Sequence, residues 1–172
     1  LSENAVPAIV QDQQGYMWFG TREGLDRYDG YDFTIYASDP ADPATLSSGF
    51  VTALYVDRDG ILWVGTFHGG LNRFDREQGS FARYQNDPQD PTSLSHNRIR
   101  AITQDQDGYL WIGTHGGGLE RFDPQQGTLT HFRHDPGDPT SLSNDIVRAI
   151  YPDPDGTLWV GTYGGLNALD PS

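Results

Sequence analysis

Apolar positions along this chain fall in short, regularly recurring runs. Between residues 51 and 84 the runs "VTALYV", "ILWVGT", "LNRF" and "FARY" are rich in β-branched and aromatic side chains, and Gly, Pro, Asp and Asn separate them. Such runs predict four strands, about Val51–Val56, Ile61–Thr66, Leu71–Phe74 and Phe81–Tyr84. The run "LWVGT" has no polar face, so this strand is expected to be covered on both sides, as when one sheet stacks on the next. "SLSHNRIRAI" could pass as a short amphipathic turn, but it must deliver the next strand within a few residues, and no helix is expected.

The pattern repeats. Trp18, Trp63, Trp111 and Trp159 are 45, 48 and 48 positions apart, each within an Asp-x-x-Gly-x-x-Trp-x-Gly-Thr segment. The first spacing is shorter because three residues rather than four separate Thr21 from Leu25, and because Tyr28 to Tyr36 is eight steps where Phe74 to Tyr84 is ten. Asp at the first turn position, Pro154 tolerated at the second, and Gly15, Gly60, Gly108 and Gly156 at the fourth suit a type I turn closed by a glycine of positive φ. Four-stranded units of this period, repeating and stacking, are what propeller blades look like. The expected fold is therefore all-β. It comprises β-propeller blades of four antiparallel strands at about residues 5–36, 50–84, 98–132 and 146–170 of one segment, 1–172. The last copy stops at "LNALDPS", before its final strand, which leaves 15 strands and a partial or small propeller.

The pattern Asp-x-x-Gly-x-Leu-Trp-Val-Gly-Thr, followed by Gly-Gly-Leu-Asn-Arg-Phe-Asp, resembles the two-component regulator propeller repeat over almost the whole chain. WD repeats place their Trp-Asp pair at a strand end and kelch repeats put a double glycine before their Trp, whereas Gly69 and Gly70 follow Trp63. The opening "LSENAVPAIVQDQQGYMWFGTREGLDRYDGYDF" is similar to the segment with which such sensors begin. The resemblance implies a periplasmic location, in the extracytoplasmic sensor of a bacterial membrane receptor whose output is a histidine kinase, often hybrid, or a GGDEF-type diguanylate cyclase. No kinase, receiver or cyclase motif stands in this sequence. Family propellers usually carry about seven blades. Four repeats leave unclosed edges, which suggests edge-to-edge assembly with a second copy into a larger closed ring, with a compact four-bladed monomer as the competitor.

A net charge of −13 argues against a nucleic-acid partner, because phosphate binding draws on clustered basic residues. With no Cys, thiolate chemistry and disulfides are unavailable. No apolar stretch approaches membrane-helix length, so no membrane contact is expected within the segment. The first residues lack the basic stretch and apolar core of a signal peptide, and a start at Leu1 rather than Met suggests a piece of something longer.

The repeats disagree where the chain leaves "GT": Arg22 and Glu23, Phe67 and His68, His115, then Tyr163. A scaffold repeats its letters and a binding surface varies them. These six residues are the candidate ligand face, at the same rim as the long "DPxDPxSL" connections. They suit a neutral or weakly charged small molecule such as an oligosaccharide. The long connections themselves read as structure, with Leu46, Leu94 and Leu142 plugging them onto the core. Calcium at Asp87 and Asp90, or at Asp105 and Asp107, lacks the EF-hand spacing. His68, His96, His115, His131 and His134 lack zinc-ligand spacing, and "GTHGGG" lacks the ending of a phosphate loop. No cofactor, metal or catalytic residue is assigned.

The four tryptophans are expected in the core, and Arg27, Arg73 and Arg121 are expected to pair with Asp29, Asp75 and Asp123. A sensory binding module is favoured over a propeller glycosidase, although the turn loosely resembles the Asp-box of sialidases. Only Glu23 and Glu120 break the repeat among carboxylates, and no Arg triad is visible. A purely architectural repeat is the third reading.

Overall fold

A computed structural model describes residues 1–170 as two compact units, Leu1–Gln85 and the remainder from Asn86. Among the described residues the chain is all strand and turn. The first unit holds one blade of β1 (Ala8–Gln11), β2 (Met17–Gly20), β3 (Leu25–Tyr28) and β4 (Phe33–Tyr36). Its second blade comprises β5 (Val51–Val56), β6 (Leu62–Thr66), β7 (Leu71–Asp75) and β8 (Ser80–Tyr84). The second unit holds β9 (Ile99–Gln104), β10 (Leu110–Thr114), β11 (Leu119–Asp123) and β12 (Thr128–Phe132), then β13 (Val147–Pro152), β14 (Leu158–Thr162) and β15 (Gly165–Leu169). Each sheet is an antiparallel meander in sequence order, and the last has three strands, so the expected 15 strands and four-stranded blades are found. The Asp75↔Ser80 pair extends the third and fourth strands of the second blade by one residue each, and the second starts one residue later because the Ile61 carbonyl accepts from Asp57 N–H in the turn. Among the described residues no helix is long and apolar enough to cross a membrane.

The turn explains why each blade opens with Asp. Oδ1 of Asp57 accepts the backbone N–H groups of Asp59 and Ile61 at 3.0 and 2.8 Å, and Oδ2 accepts the Trp63 indole N–H at 2.8 Å. The same three bonds recur at Asp12 with Trp18 and at Asp105 with Trp111, the indole bonds measuring 2.8 and 2.7 Å. One carboxylate thus organises the turn and satisfies the polar end of a buried indole. The closing glycines have φ of 89°, 79°, 92° and 97° at Gly15, Gly60, Gly108 and Gly156, where a side chain would be strained.

Within each unit the two blades stack. Trp18 packs with Leu25, Leu46, Val51, Leu62, Val64, Phe74 and Phe81, and Trp111 with Leu119, Leu142, Val147, Leu158 and Val160. The apolar strands β6 and β10 are buried at every residue, whereas β14, which repeats the letters of β6, leaves Trp159 exposed. A Cβ on Gly20 would collide with Val51, and one on Gly113 would stand 2.6 Å from Val147 Cγ1, so glycine before Thr permits the close approach. Leu46, Leu94 and Leu142 are buried as expected.

Two expectations are corrected. Trp18, Trp63 and Trp111 are fully buried, but Trp159 is 38% exposed. Its sheet lacks a fourth strand, its own unit offers no following blade, and Ala168 stands opposite where the other blades have arginine. The repeated Arg and Asp do not form the expected pairs either. Arg27 lies over Tyr16, 4.7 Å from the ring centroid, and Arg121 over Tyr109 at 3.8 Å. Asp29, Asp75 and Asp123 accept the N–H groups of their own hairpin turns. An arginine on a strand face reaches the neighbouring ring more readily than a carboxylate committed to a turn.

Candidate functional site

Three sets of hydrogen bonds hold the rim in place. The threonine after each buried strand donates from Oγ1 to a glycine carbonyl: Thr66 to Gly70 at 3.0 Å and Thr114 to Gly118 at 2.9 Å. The next residue donates its N–H to the residue entering a first strand: Phe67 to Phe50 at 2.9 Å, His115 to Arg98 at 3.0 Å, and Tyr163 to Ile146 at 3.0 Å. Each variable position therefore sits beside a strand entry. The third set anchors the long connections, where the backbone N–H groups of Ser47, Ser95 and Ser143 donate to Asn72, Glu120 and Asn167, and the Ser2 N–H donates to Asp26 in the same way ahead of the first blade. Glu120 is fully buried and also accepts from the Ser95 hydroxyl and bonds His131 Nδ1. Its departure from the repeat thus anchors the connection with a carboxylate where Asn72 and Asn167 do so with an amide.

The first unit's rim is aromatic. Phe50 and Phe67 stack with ring centroids 4.8 Å apart and planes 4° from parallel, and His68 meets Phe67 edge-on at 4.5 Å. The Arg22 guanidinium lies 5.6 Å from the Phe50 centroid. Glu23 is exposed, and its backbone N–H bonds Thr21 Oγ1.

The second unit's rim is cationic. Arg100 Nη2 lies 3.4 Å from His115 Nδ1, the His115 ring meets the Tyr163 ring edge-on at 6.3 Å, and Arg148 Nη1 donates to Tyr163 Oη at 2.7 Å. Burial pushes the His115 pKa below its ordinary value, and Arg98, Arg100, His96 and Arg148 push it the same way. His96 is lowered by burial and by Arg98.

A local irregularity produces this cluster. The β9–β10 ladder pairs Gly113 with Ala101 and Thr114 with Ile99, skipping Arg100, and the β13–β14 ladder likewise skips Arg148. Both arginines are the extra residue of a β-bulge, a device that re-aims one side chain without disturbing the rest of the ladder. The β5–β6 ladder skips Thr52 at the same column.

The structure brings the six sequence-derived candidates together in two groups. Arg22, Phe67 and His68 gather around Phe50, with Glu23 beside them in sequence; His115 and Tyr163 meet in the second unit. Sequence reasoning missed Phe50, His96, Arg98, Arg100 and Arg148. The signal lies in "RIR" at residues 98–100 and in the aligned Arg148, in columns where the second blade has Phe50 and Thr52. A net charge of −13 averages over the chain and does not show that arginines gather at the second unit's rim.

The aspartates of the Asp-rich loops and turns hold donors of their own segments. Asp87 and Asp90 accept N–H groups within their own loop at 2.9 Å each, and Asp105 holds the turn and Trp111. The Thr92 side chain and backbone keep Asp90 below the usual carboxylate pKa, and Thr140 does so for Asp138.

The family model described as "Two component regulator propeller" matches residues 1–23, 45–68, 93–116 and 141–164. A 47-residue stretch is 45% identical to histidine kinase P4 of Formosa agariphila, covering 27% of this chain and 3% of that protein. The extracellular domain assigned to a hybrid two-component system of B. thetaiotaomicron matches over 99% of this chain with TM-score 0.88 and 32% identity. A second such domain from that organism, assigned to a one-component system, matches over 98% with TM-score 0.81 and 26% identity. The chain spans 24% of each of these two solved structures.

Proposed function

We propose, on the premise that this chain belongs to the two component regulator propeller family, that it is part of the extracytoplasmic ligand-sensing region of a two-component-type receptor. Solved relatives are extracellular domains of such systems, which supports a periplasmic location here. The observation that carries the ligand-binding reading is the contrast within each blade. One set of backbone bonds holds a rim position that is Phe67, His115 or Tyr163 in turn, and Arg22 stands in the same column of the sequence. The ligand fitting exposed rings flanked by hydrogen-bond donors is a small molecule of the oligosaccharide class. A thermal-shift panel of oligosaccharides tests this: at least one should raise the melting temperature, and Phe67→Ala or Tyr163→Ala should abolish that rise. A null panel on a folded, monodisperse protein would sink the reading.

For assembly, the exposed Tyr151, Trp159 and Leu166 on the last blade offer an apolar face to a further blade, which we assign to a second copy. Light scattering should then give a dimer mass. A clean, soluble monomer at tens of micromolar would refute it.

A further inference from the structure

We infer that the rim of the second unit is a subsite for an oxyanion, a carboxylate or sulfate group, with Arg100, Arg148 and His115 as its ligands and Tyr163 alongside. The inference rests on the ligand-binding reading above and names the chemistry of one of its subsites.

Donor bookkeeping supports it. An arginine only donates, so the Arg100–His115 contact makes His115 Nδ1 the acceptor and leaves the proton on Nε2. The Arg148–Tyr163 bond likewise uses the phenolic oxygen as acceptor and leaves its O–H free to donate. Arg100 Nε is buried with no hydrogen-bond partner among the described residues. What the cluster presents is guanidinium N–H, imidazole N–H and phenol O–H, a set of donors that matches a group that only accepts.

Charge supports it independently. All 11 basic side chains are arginines, which stay ionised, and three of them, Arg98, Arg100 and Arg148, gather about His115. Every charged group that shifts His115 is a cation. Like charges gathered about one imidazole repel one another, and an anion bound among them relieves that repulsion. The two bulges that aim Arg100 and Arg148 occur at the same column of consecutive blades, so the arrangement is built by the frame.

The anion could be free or carried on a sugar acid, and titration calorimetry on the intact chain at low salt separates the two. The probes are tetragalacturonate, neutral galactotetraose and sodium sulfate. Tetragalacturonate should bind at least tenfold more tightly than galactotetraose, with sulfate competing weakly. Arg100→Gln or Arg148→Gln should each weaken it by about tenfold or more, whereas Arg58→Gln, an equal charge change in the other unit, should stay within about twofold. Thermal melts of each variant confirm folding. Lowering the pH from 7.5 to 5.5 should tighten binding, because His115 and His96, facing Arg98, Arg100, Arg148 and Tyr163, take up a proton more readily beside an anion.

Equal binding of the neutral sugar, or wild-type affinity in the two Gln variants, would overturn the inference while leaving the receptor reading intact. Sulfate binding without tetragalacturonate binding would overturn the saccharide source. Failure of all three probes here overturns the oxyanion subsite, while the broader neutral panel above decides the receptor reading separately.

Discussion

Phe67 in the first unit and His115 in the second occupy one structural position. Both follow a buried threonine that donates to a glycine carbonyl, at 3.0 and 2.9 Å, and both donate their N–H to a strand entry, at 2.9 and 3.0 Å. Yet Phe67 lies flat on Phe50, whereas His115 stands among Arg98, Arg100 and Arg148. The frame is indifferent to the side chain it carries. What decides the chemistry is the pair of residues entering the neighbouring first strand, Phe50 and Thr52 in one unit, Arg98 and Arg100 in the other.

If the frame is common, damage to it should cost the same in both units. Trp18→Ala and Trp111→Ala, each emptying a fully buried indole site, should each cost about 3–5 kcal/mol in denaturant unfolding. Trp159→Ala should cost under about 1 kcal/mol. Markedly unequal losses at the first two would show that the two cores are not built alike.

Next comes the anchor of the long connection. Glu120→Ala strands the Ser95 N–H and breaks the hydrogen bonds of a buried carboxylate with the Ser95 hydroxyl and the His131 imidazole, so it should cost about 3 kcal/mol. Asn72→Ala strands the Ser47 N–H and frees the Val64 carbonyl, for about 1–2 kcal/mol. Equal costs would mean the charge in the second unit adds nothing.

At the rim the signs should differ. Phe50→Ala loses the stacked ring and should destabilise by about 1 kcal/mol. Arg100→Met removes a like charge and should leave the ligand-free protein as stable or slightly more so, by up to about 0.5 kcal/mol. A clear loss there would contradict the picture of an unfavourable cluster held for binding.

The smallest effect is in pH. His96 and His115 have folded pKa values below the ordinary 6.5, so the unfolded chain takes the proton first and the second unit should begin to weaken as pH falls through 6.5. In the first unit burial tends to raise the Asp12 pKa, but the Trp18 indole, Arg76 and backbone N–H of Tyr16 together bring it below 3.8. Its contribution is intact above that value and lost below it. Asp90 and Asp138 add the same acid loss to the second unit. Hydrogen exchange resolved by unit should therefore show the second unit responding near pH 6 while the first stays unchanged to about pH 4.

Strand number, turn type and the plugging leucines were legible because each repeats, and repetition averages out local ambiguity. The Asp-to-indole bond was legible in principle, since Asp57 and Trp63 recur six apart, but a turn already explained the aspartate. The exposure of Trp159 was not, because its letters match those of Trp111 and burial depends on what stacks against it. The arginine cluster was hidden for a different reason. Arg100 and Arg148 alternate with apolar residues as any half-exposed strand would, and only the bulge turns that position toward His115.

Trp159 also gives the molecule its own optical reporter. Three indoles are sealed and should emit in the blue, beyond the reach of iodide, while the fourth is 38% exposed and should emit further to the red and be quenched. Any strand or blade that completes the last sheet would shift that one emission, so assembly can be followed on the unlabelled protein, with Trp159→Phe as the blank.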